Sequence, residues 1–190
     1  MATIILLVII GVLVLWVIGA YNGLISLKNQ VVNGWKQIDV QLKRRHDLIP
    51  NLVNTVKGAM DFERSTLDAV ISARNRAVGA TGVQQTARAE GELTQALGRL
   101  FALTEAYPDL KATGNVAQLQ EELTSTENKI GFARQLYNDV ATQYNTKQMQ
   151  FPTNLVAGVA KASPAELWEI EDAAERAVPV VDLSTNKPGA

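Results

Sequence analysis

The strongest pattern in this chain is an unbroken apolar run near its amino-terminal end. Residues 3–20 carry no ionisable side chain. As a helix this run spans about 27 Å, close to the roughly 30 Å hydrocarbon core of a bilayer. The run therefore predicts a transmembrane anchor over residues 1–21, with membrane-contacting residues Ile4, Leu7, Ile10, Leu13, Trp16 and Tyr21. No Lys or Arg precedes it, unlike the basic start of a signal peptide, so we expect the anchor to stay uncleaved.

A second, amphipathic pattern follows the anchor without a turn signal. From Leu24 to Ala59 apolar residues recur every three or four positions, which predicts one long helix with a single apolar stripe. Pro50 cannot donate to the carbonyl of His46, but the stripe stays in phase beyond it, so we expect a kink rather than a break. Arg45 falls within the stripe. It either lays its stem on the core and reaches water or a nearby carboxylate, which we favour, or forms a buried ion pair that fixes helix register.

The middle of the chain predicts further helices. Segments 61–79 and 84–107 have helical spacing and are separated by GATG, so they are one interrupted helix or two. Residues 116–150 have the most regular spacing, alternating fours and threes, which is typical of left-handed coiled-coil packing. Its seam is Leu119, Leu123, Ile130, Tyr137 and Tyr144, with the tyrosine hydroxyls expected to reach partners at the rim.

The carboxyl-terminal segment, 152–190, is less regular. Ser163 has the character of an N-cap, Pro164 suits the first turn, and Glu166 completes a capping box, so a short helix is expected to begin there, followed by an extended tail. The fold class is therefore all-α. An N-terminal transmembrane helix continues into an elongated antiparallel bundle of three to four long helices over residues 22–151.

Composition excludes several kinds of function. The net charge of −1 gives no electrostatic case for nucleic acid. The chain has no cysteine and one histidine, which argues against thiol chemistry, a multi-histidine metal site or a Ser-His-Asp triad. No glycine-rich phosphate loop or nucleophile elbow is present. We therefore expect a protein that is not an enzyme and has no cofactor or metal.

Charge around the anchor predicts its orientation. No Lys or Arg precedes the span, whereas six follow it: Lys28, Lys36, Lys43, Arg44, Arg45 and Lys57. The positive-inside rule then places the soluble part in the cytoplasm, attached to the inner membrane by one span. The alternative is the extracytoplasmic side, because the densest basic cluster begins more than 20 residues beyond the membrane, where the rule weakens.

The densest polar cluster surrounds His46. Asp39 and His46 are seven residues apart on one helix face, a spacing that can orient a general base. If the helix stands upright, the cluster is about 33 Å from the membrane, too far for lipid contact across a Debye length of about 8 Å. We therefore expect helix or subunit pairing through Trp35, Asp39, Arg44, Arg45, His46 and Asp47.

Three segments together resemble one protein family. They are YNGLISLKNQVVNGWKQIDVQLKRRHDLIPNLVNTVK (21–57), AYPDLKA (106–112) and LQEELTSTENKIGFARQLYNDVATQYN (119–145). All three are similar to the LemA family. The resemblance implies a bacterial membrane-anchored helical bundle without an assigned enzymatic activity. It also implies relatives among proteins that shape or organise specialised bacterial membranes. The resemblance further implies a gene neighbourhood, since some relatives lie beside genes for membrane metalloproteases. The segment AGVAKASPAELWEI (157–170) departs from the glycine-aromatic stretch found in many relatives.

Two functions are compatible with these patterns. The first is a scaffold that assembles with further copies through its bundle and organises the lipid bilayer. The second is a non-catalytic adaptor that holds a membrane partner such as a protease or sensor. Weak small-residue spacing in the anchor, Gly11 and Gly19, gives slight support to self-association. The scaffold is the interpretation we favour.

Overall fold

The fold is all-α, as the sequence predicts. The computed structural model describes residues 1–57, 63–107 and 114–169. The helices of these ranges are α1 (Ala2–Lys57), α2 (Arg64–Gly79), α3 (Val83–Thr104), α4 (Gly114–Met149) and α5 (Thr153–Val159). The anchor and the amphipathic stripe form one helix, α1, which passes through Pro50 without a break.

The frame of the molecule is the pair α1 and α4. Gly34 of α1 lies against Tyr137 of α4, and Arg45 pairs with Glu127. Contacting residue numbers rise along α1 as they fall along α4, so the two helices are antiparallel. A Cβ at Gly34 would lie 3.4 Å from the Tyr137 Cα, so the missing side chain permits a close approach of the two helices there.

A hairpin of α2 and α3 covers the half of this pair that is distant from the anchor. Gly82, with a φ of 79°, makes the turn between them in a conformation that glycine adopts without strain. The segments on either side of GATG are therefore two helices, which answers the question that the sequence left open. The distal core contains Ile49, Leu52, Val56, Leu67, Val70, Leu93, Leu97, Leu100, Val116 and Leu123.

The half nearer the anchor is covered by α5 and by residues 162–169, which we call the strap. Its core contains Leu24, Ile38, Leu42, Ile130, Tyr137, Ala141, Tyr144, Ala157 and Trp168. The predicted helix start at Ser163 is wrong, because the strap is not helical. The helical turn lies earlier, in α5. The remainder of that predicted helix and the tail are outside the described residues.

The first part of α1 stands free of the bundle. An 18-residue window in it has a mean hydropathy of 3.0 and is not buried against the rest of the protein. Ile4, Leu7, Ile10 and Leu13 are exposed, as are Trp16 and Tyr21 at its far end. An unburied helix of this length and apolarity is what a bilayer accepts.

Candidate functional site

Two of the predicted pairing residues, Arg45 and His46, belong to a buried polar network where the two cores meet. Arg45 lies between Leu42 of the proximal core and Ile49 of the distal core, and only 2% of its surface is exposed. Its guanidinium forms ion pairs with Glu90 of α3 and Glu127 of α4. The interpretation that we favoured from the sequence had the arginine reach water or a nearby carboxylate. Arg45 reaches two carboxylates but is itself buried, which agrees with the alternative, a buried ion pair.

The network is more extensive than one ion pair. Arg45 Nη1 also donates to Thr94 Oγ1 (3.1 Å), and Nη2 donates to the Glu90 carbonyl (3.2 Å). The second carboxylate oxygen of Glu90 lies 2.7 Å from Nε2 of His46. One guanidinium therefore ties α1 to α3 and α4 at a single level, as a charge inside an apolar seam requires if it is to stay buried.

The backbone beside the network has its own partner. Pro50 has no N–H, so the carbonyl of His46 lacks the usual helical donor. Arg74 of α2 supplies one, since its Nε donates to His46 O at 2.7 Å. Pro50 thus leaves the carbonyl of His46 available as an acceptor. Through its hydrogen bond to this carbonyl, Arg74 holds the α2–α3 hairpin against α1.

The other predicted pairing residues are distributed differently. Asp47 bonds to Lys43 on its own helix at 2.8 Å, and this hydrogen bond is the main reason that the pKa of Asp47 lies below its usual value. Asp39 and Arg44 are exposed. His46 faces Glu90 rather than Asp39, so the general-base pair suggested by spacing does not form. Among the residues with described side chains, no group of three His, Cys, Asp or Glu is placed to hold a metal ion.

Trp35 belongs to an aromatic cluster that receives the strap. Its ring centroid lies 5.6 Å from Tyr137 and 6.0 Å from Trp168. The guanidinium of Arg134 lies 5.2 Å from the centre of the Trp168 ring, within cation–π range. The side chain of Trp168 is therefore buried in this cluster, and it packs the strap against α1 and α4.

Two asparagines of α4 hold the strap by its main chain. Asn145 accepts from the N–H of Ala165 (2.8 Å) and donates to its carbonyl (2.9 Å). Asn138 does the same for Trp168, at 2.8 and 3.0 Å. Seven helical residues rise about 10.5 Å, which three extended residues also span. The strap is therefore extended, and its register on α4 is set by the spacing of the asparagines.

The predicted tyrosine rim contact is present at Tyr137. Its hydroxyl donates to the carbonyl of Glu166 at 2.6 Å. Burial, followed by the nearby Glu166 carboxylate, raises the pKa of Tyr137 above its usual value. The phenol thus stays protonated and able to donate. The other seam residues Leu123, Ile130 and Tyr144 are buried as predicted, and Leu119 is half-buried.

The opposite side of the α1–α4 pair carries an apolar strip. We use this name for Val40, Phe132 and Leu136, which are 62%, 74% and 46% exposed. They line a shallow groove of about 400 Å³, with Lys36 and Lys129 at its margin. Large apolar side chains gathered on one exposed face are typical of an interaction surface.

Several of these residues had no role in the sequence interpretation. Asn138 and Asn145 have ordinary helix-surface positions, and their partners lie far along the chain. Glu90 was detectable, because it occupies an apolar-spaced position between Ala87 and Leu93 in α3. A seam carboxylate on one helix and a seam arginine on another together indicate a buried pair.

Known proteins share this sequence pattern. The profile of the LemA family matches residues 34–183. The chain is 29% identical over 150 residues to Protein LemA of Metamycoplasma hominis, a match that covers 78% of this chain and 68% of that protein. It is 23% identical over 181 residues to the magnetosome protein MamQ 2 of Paramagnetospirillum magneticum, covering 82% of this chain and 66% of that protein. MamQ of Magnetospirillum gryphiswaldense is 21% identical with the same coverage. The chain thus spans about two thirds of each relative's length.

Proposed function

Because this chain belongs to the LemA family and is a membrane-associated bacterial protein, we propose that it is a membrane-anchored scaffold that assembles with further copies of itself. The observation that carries this proposal is the apolar strip on the soluble part of α1 and α4. The scaffold itself catalyses nothing and needs no cofactor. It organises the membrane by holding many anchors together. The similarity to magnetosome proteins agrees with such a role.

Distance from the bilayer argues that the strip binds protein rather than lipid. Val40 lies 20 residues beyond Ala20 on a continuous helix, which places it about 30 Å from the membrane edge when the helix is upright. All copies anchored in one bilayer present their strips at the same height and in the same orientation. Two strips can therefore meet about a twofold axis normal to the membrane, the symmetry that most protein pairs use. A second contact, through the anchors or another face of the bundle, then joins such pairs into larger particles.

A mass measurement after mild detergent extraction tests the scaffold. We expect the wild-type chain to run as a particle of many copies. Phe132→Asp should weaken association about 10- to 150-fold, the factor that burial of one large apolar side chain, about 1.5–3 kcal/mol, corresponds to. Val78→Asp is the matched control, because Val78 is also exposed (56%) but lies on α2, away from the strip.

The adaptor is the outcome that would overturn the scaffold. In that case the extracted wild-type protein would be a monomer or dimer that enriches one other membrane protein. If the wild type and Phe132→Asp form large particles of equal mass, the protein self-assembles through a surface other than the strip.

A further inference from the structure

The strap is bound in a way that does not depend on which copy it comes from. The four hydrogen bonds from Asn138 and Asn145 reach only main-chain atoms of Ala165 and Trp168. The groove they form on α4 thus accepts an extended chain, and the aromatic cluster with Trp35 selects a tryptophan at one position. Such contacts are identical whether the strap belongs to the same molecule or to a neighbour.

The link that keeps the strap on its own bundle contains a residue with a positive φ. Lys161, between α5 and the strap, has a φ of 46°, in the left-handed region. A residue with a side chain adopts this conformation at a cost that glycine does not have. The same conformation closes α5, because the N–H of Lys161 donates to the carbonyl of Gly158 (3.2 Å) and the N–H of Ala162 donates to that of Ala157 (3.0 Å). A differently directed strap gives up these two hydrogen bonds together with the left-handed cost, and the two changes offset each other in part.

Building on the proposed self-assembly, we propose that the groove formed by Trp35, Tyr137, Asn138 and Asn145 binds the strap of a neighbouring copy. Exchange keeps the four hydrogen bonds and the Trp168 contacts. It releases the left-handed conformation at Lys161 and gives up the two main-chain hydrogen bonds that close α5. Exchange costs the entropy of bringing two molecules together. Anchoring in one membrane reduces this cost, because it holds the grooves of neighbouring copies at equal heights.

The length of the link limits the geometry. Residues 160–163 reach at most about 14 Å when extended. With α5 docked on its own bundle, the receiving bundle must therefore touch the donor. Each copy gives one strap and receives one. Two copies can close the exchange as a reciprocal pair, and in the proposed scaffold the exchange continues head-to-tail from copy to copy. The apolar strip lies on the other side of α1 and α4 and remains available for a separate, self-complementary contact.

Cross-linking tests the exchange directly, because the chain has no cysteine of its own. Glu169 at the end of the strap and Arg88 on α3 are both exposed and line one groove. Two full-length chains with different tags, one Glu169→Cys and the other Arg88→Cys, are expressed in the same membrane and treated with a short bismaleimide. We expect a covalent pair of the two tags. A Glu169→Cys chain mixed with Val78→Cys should give none.

A second variant separates exchange from mere proximity. Lys161→Gly removes the left-handed penalty of the self-bound strap, so it should lower the yield of mixed pairs about fivefold. In a single chain carrying both Glu169→Cys and Arg88→Cys, the same change should raise the internal cross-link. Mixed pairs that are absent, or that Lys161→Gly leaves unchanged, would overturn the exchange. Large wild-type particles without mixed pairs would agree with the scaffold and contradict only the strap exchange. A wild-type monomer would contradict both proposals.

Discussion

At the scale of single residues, the Arg45–Glu90 pair decides how the helices fit together. Both side chains are almost fully buried, at 2% and 4% exposure. A buried pair adds little net stability over well-packed apolar residues, but a broken pair leaves an uncompensated charge. A shift of α3 along α1 by one turn would break the pair, so the pair disfavours other registers.

Removing one partner of this pair should therefore cost far more than removing both. We expect Arg45→Met to lower the free energy of unfolding by about 3–5 kcal/mol, because Glu90 then stays buried without its cation. Arg45→Met combined with Glu90→Leu should recover most of that loss. Urea unfolding in detergent, followed by circular dichroism, measures both. Lys43→Ala, which breaks an exposed pair with Asp47, should change stability by less than about 1 kcal/mol. A double variant as unstable as the single one would contradict the register argument.

The position of Arg45 in an apolar stripe marks it as unusual, but the sequence does not show which groups surround it. A seam arginine is compatible with both a snorkelling stem and a buried pair, and only the position of Glu90 on another helix separates the two. The tertiary pairing of α1 with α3 is not encoded in the local spacing of either helix. The same holds for Asn138 and Asn145, which become binding residues only when the strap lies against them.

At the scale of elements, the α2–α3 hairpin is joined to α1 through the carbonyl that Pro50 leaves without a donor. Pro50 and Arg74 are then expected to be energetically coupled, although they do not bond to each other. The pattern of α1 predicted the missing donor at His46. It did not predict the substitute, which comes from Arg74, 28 positions along the chain.

A double-mutant cycle measures this coupling. Arg74→Ala should cost about 1–3 kcal/mol of unfolding free energy, because a partly buried carbonyl loses its partner. In a Pro50→Ala background the restored N–H satisfies His46 O, so the same change should cost less than about 0.5 kcal/mol. Arg76→Ala breaks an exposed pair with Glu92 (2.8 Å) on the same hairpin, and it should cost equally little in both backgrounds. Equal costs of Arg74→Ala with and without Pro50 would exclude the compensation.

In the strap, tertiary contacts override the helix-start signals of the local sequence. Ser163, Pro164 and Glu166 form a plausible helix start, worth about 1 kcal/mol at most sites. The extended conformation instead gains four main-chain hydrogen bonds to Asn138 and Asn145 and buries Trp168. Those contacts depend on residues 20 and 30 positions away. The elements with a long regular period, α1 and α4, were predictable because their own repetition decides the buried face.

At the scale of the whole molecule, the anchor and its flanking charges set the side of the membrane that the bundle occupies. Basic residues follow the span and none precede it, so we expect the bundle in the cytoplasm. Trypsin added to intact spheroplasts should leave the bundle uncut, and it should digest the bundle after permeabilisation. Introducing Ala2→Lys and Thr3→Lys should reduce the protected fraction by weakening the charge difference. Digestion of the wild-type bundle in intact spheroplasts would place it on the opposite side.

The continuity of α1 makes the soluble part a lever fixed in the bilayer. About 54 Å of one helix separates Tyr21 from Lys57. A transmembrane helix tilts to match its apolar length to the membrane thickness, commonly by about 20°. Such a tilt moves the far end of the helix sideways by about 18 Å, and each degree moves it by about 1 Å. In a thinner bilayer the far end of the helix therefore lies further to the side. In the proposed scaffold, membrane thickness would then determine which neighbours a given copy touches.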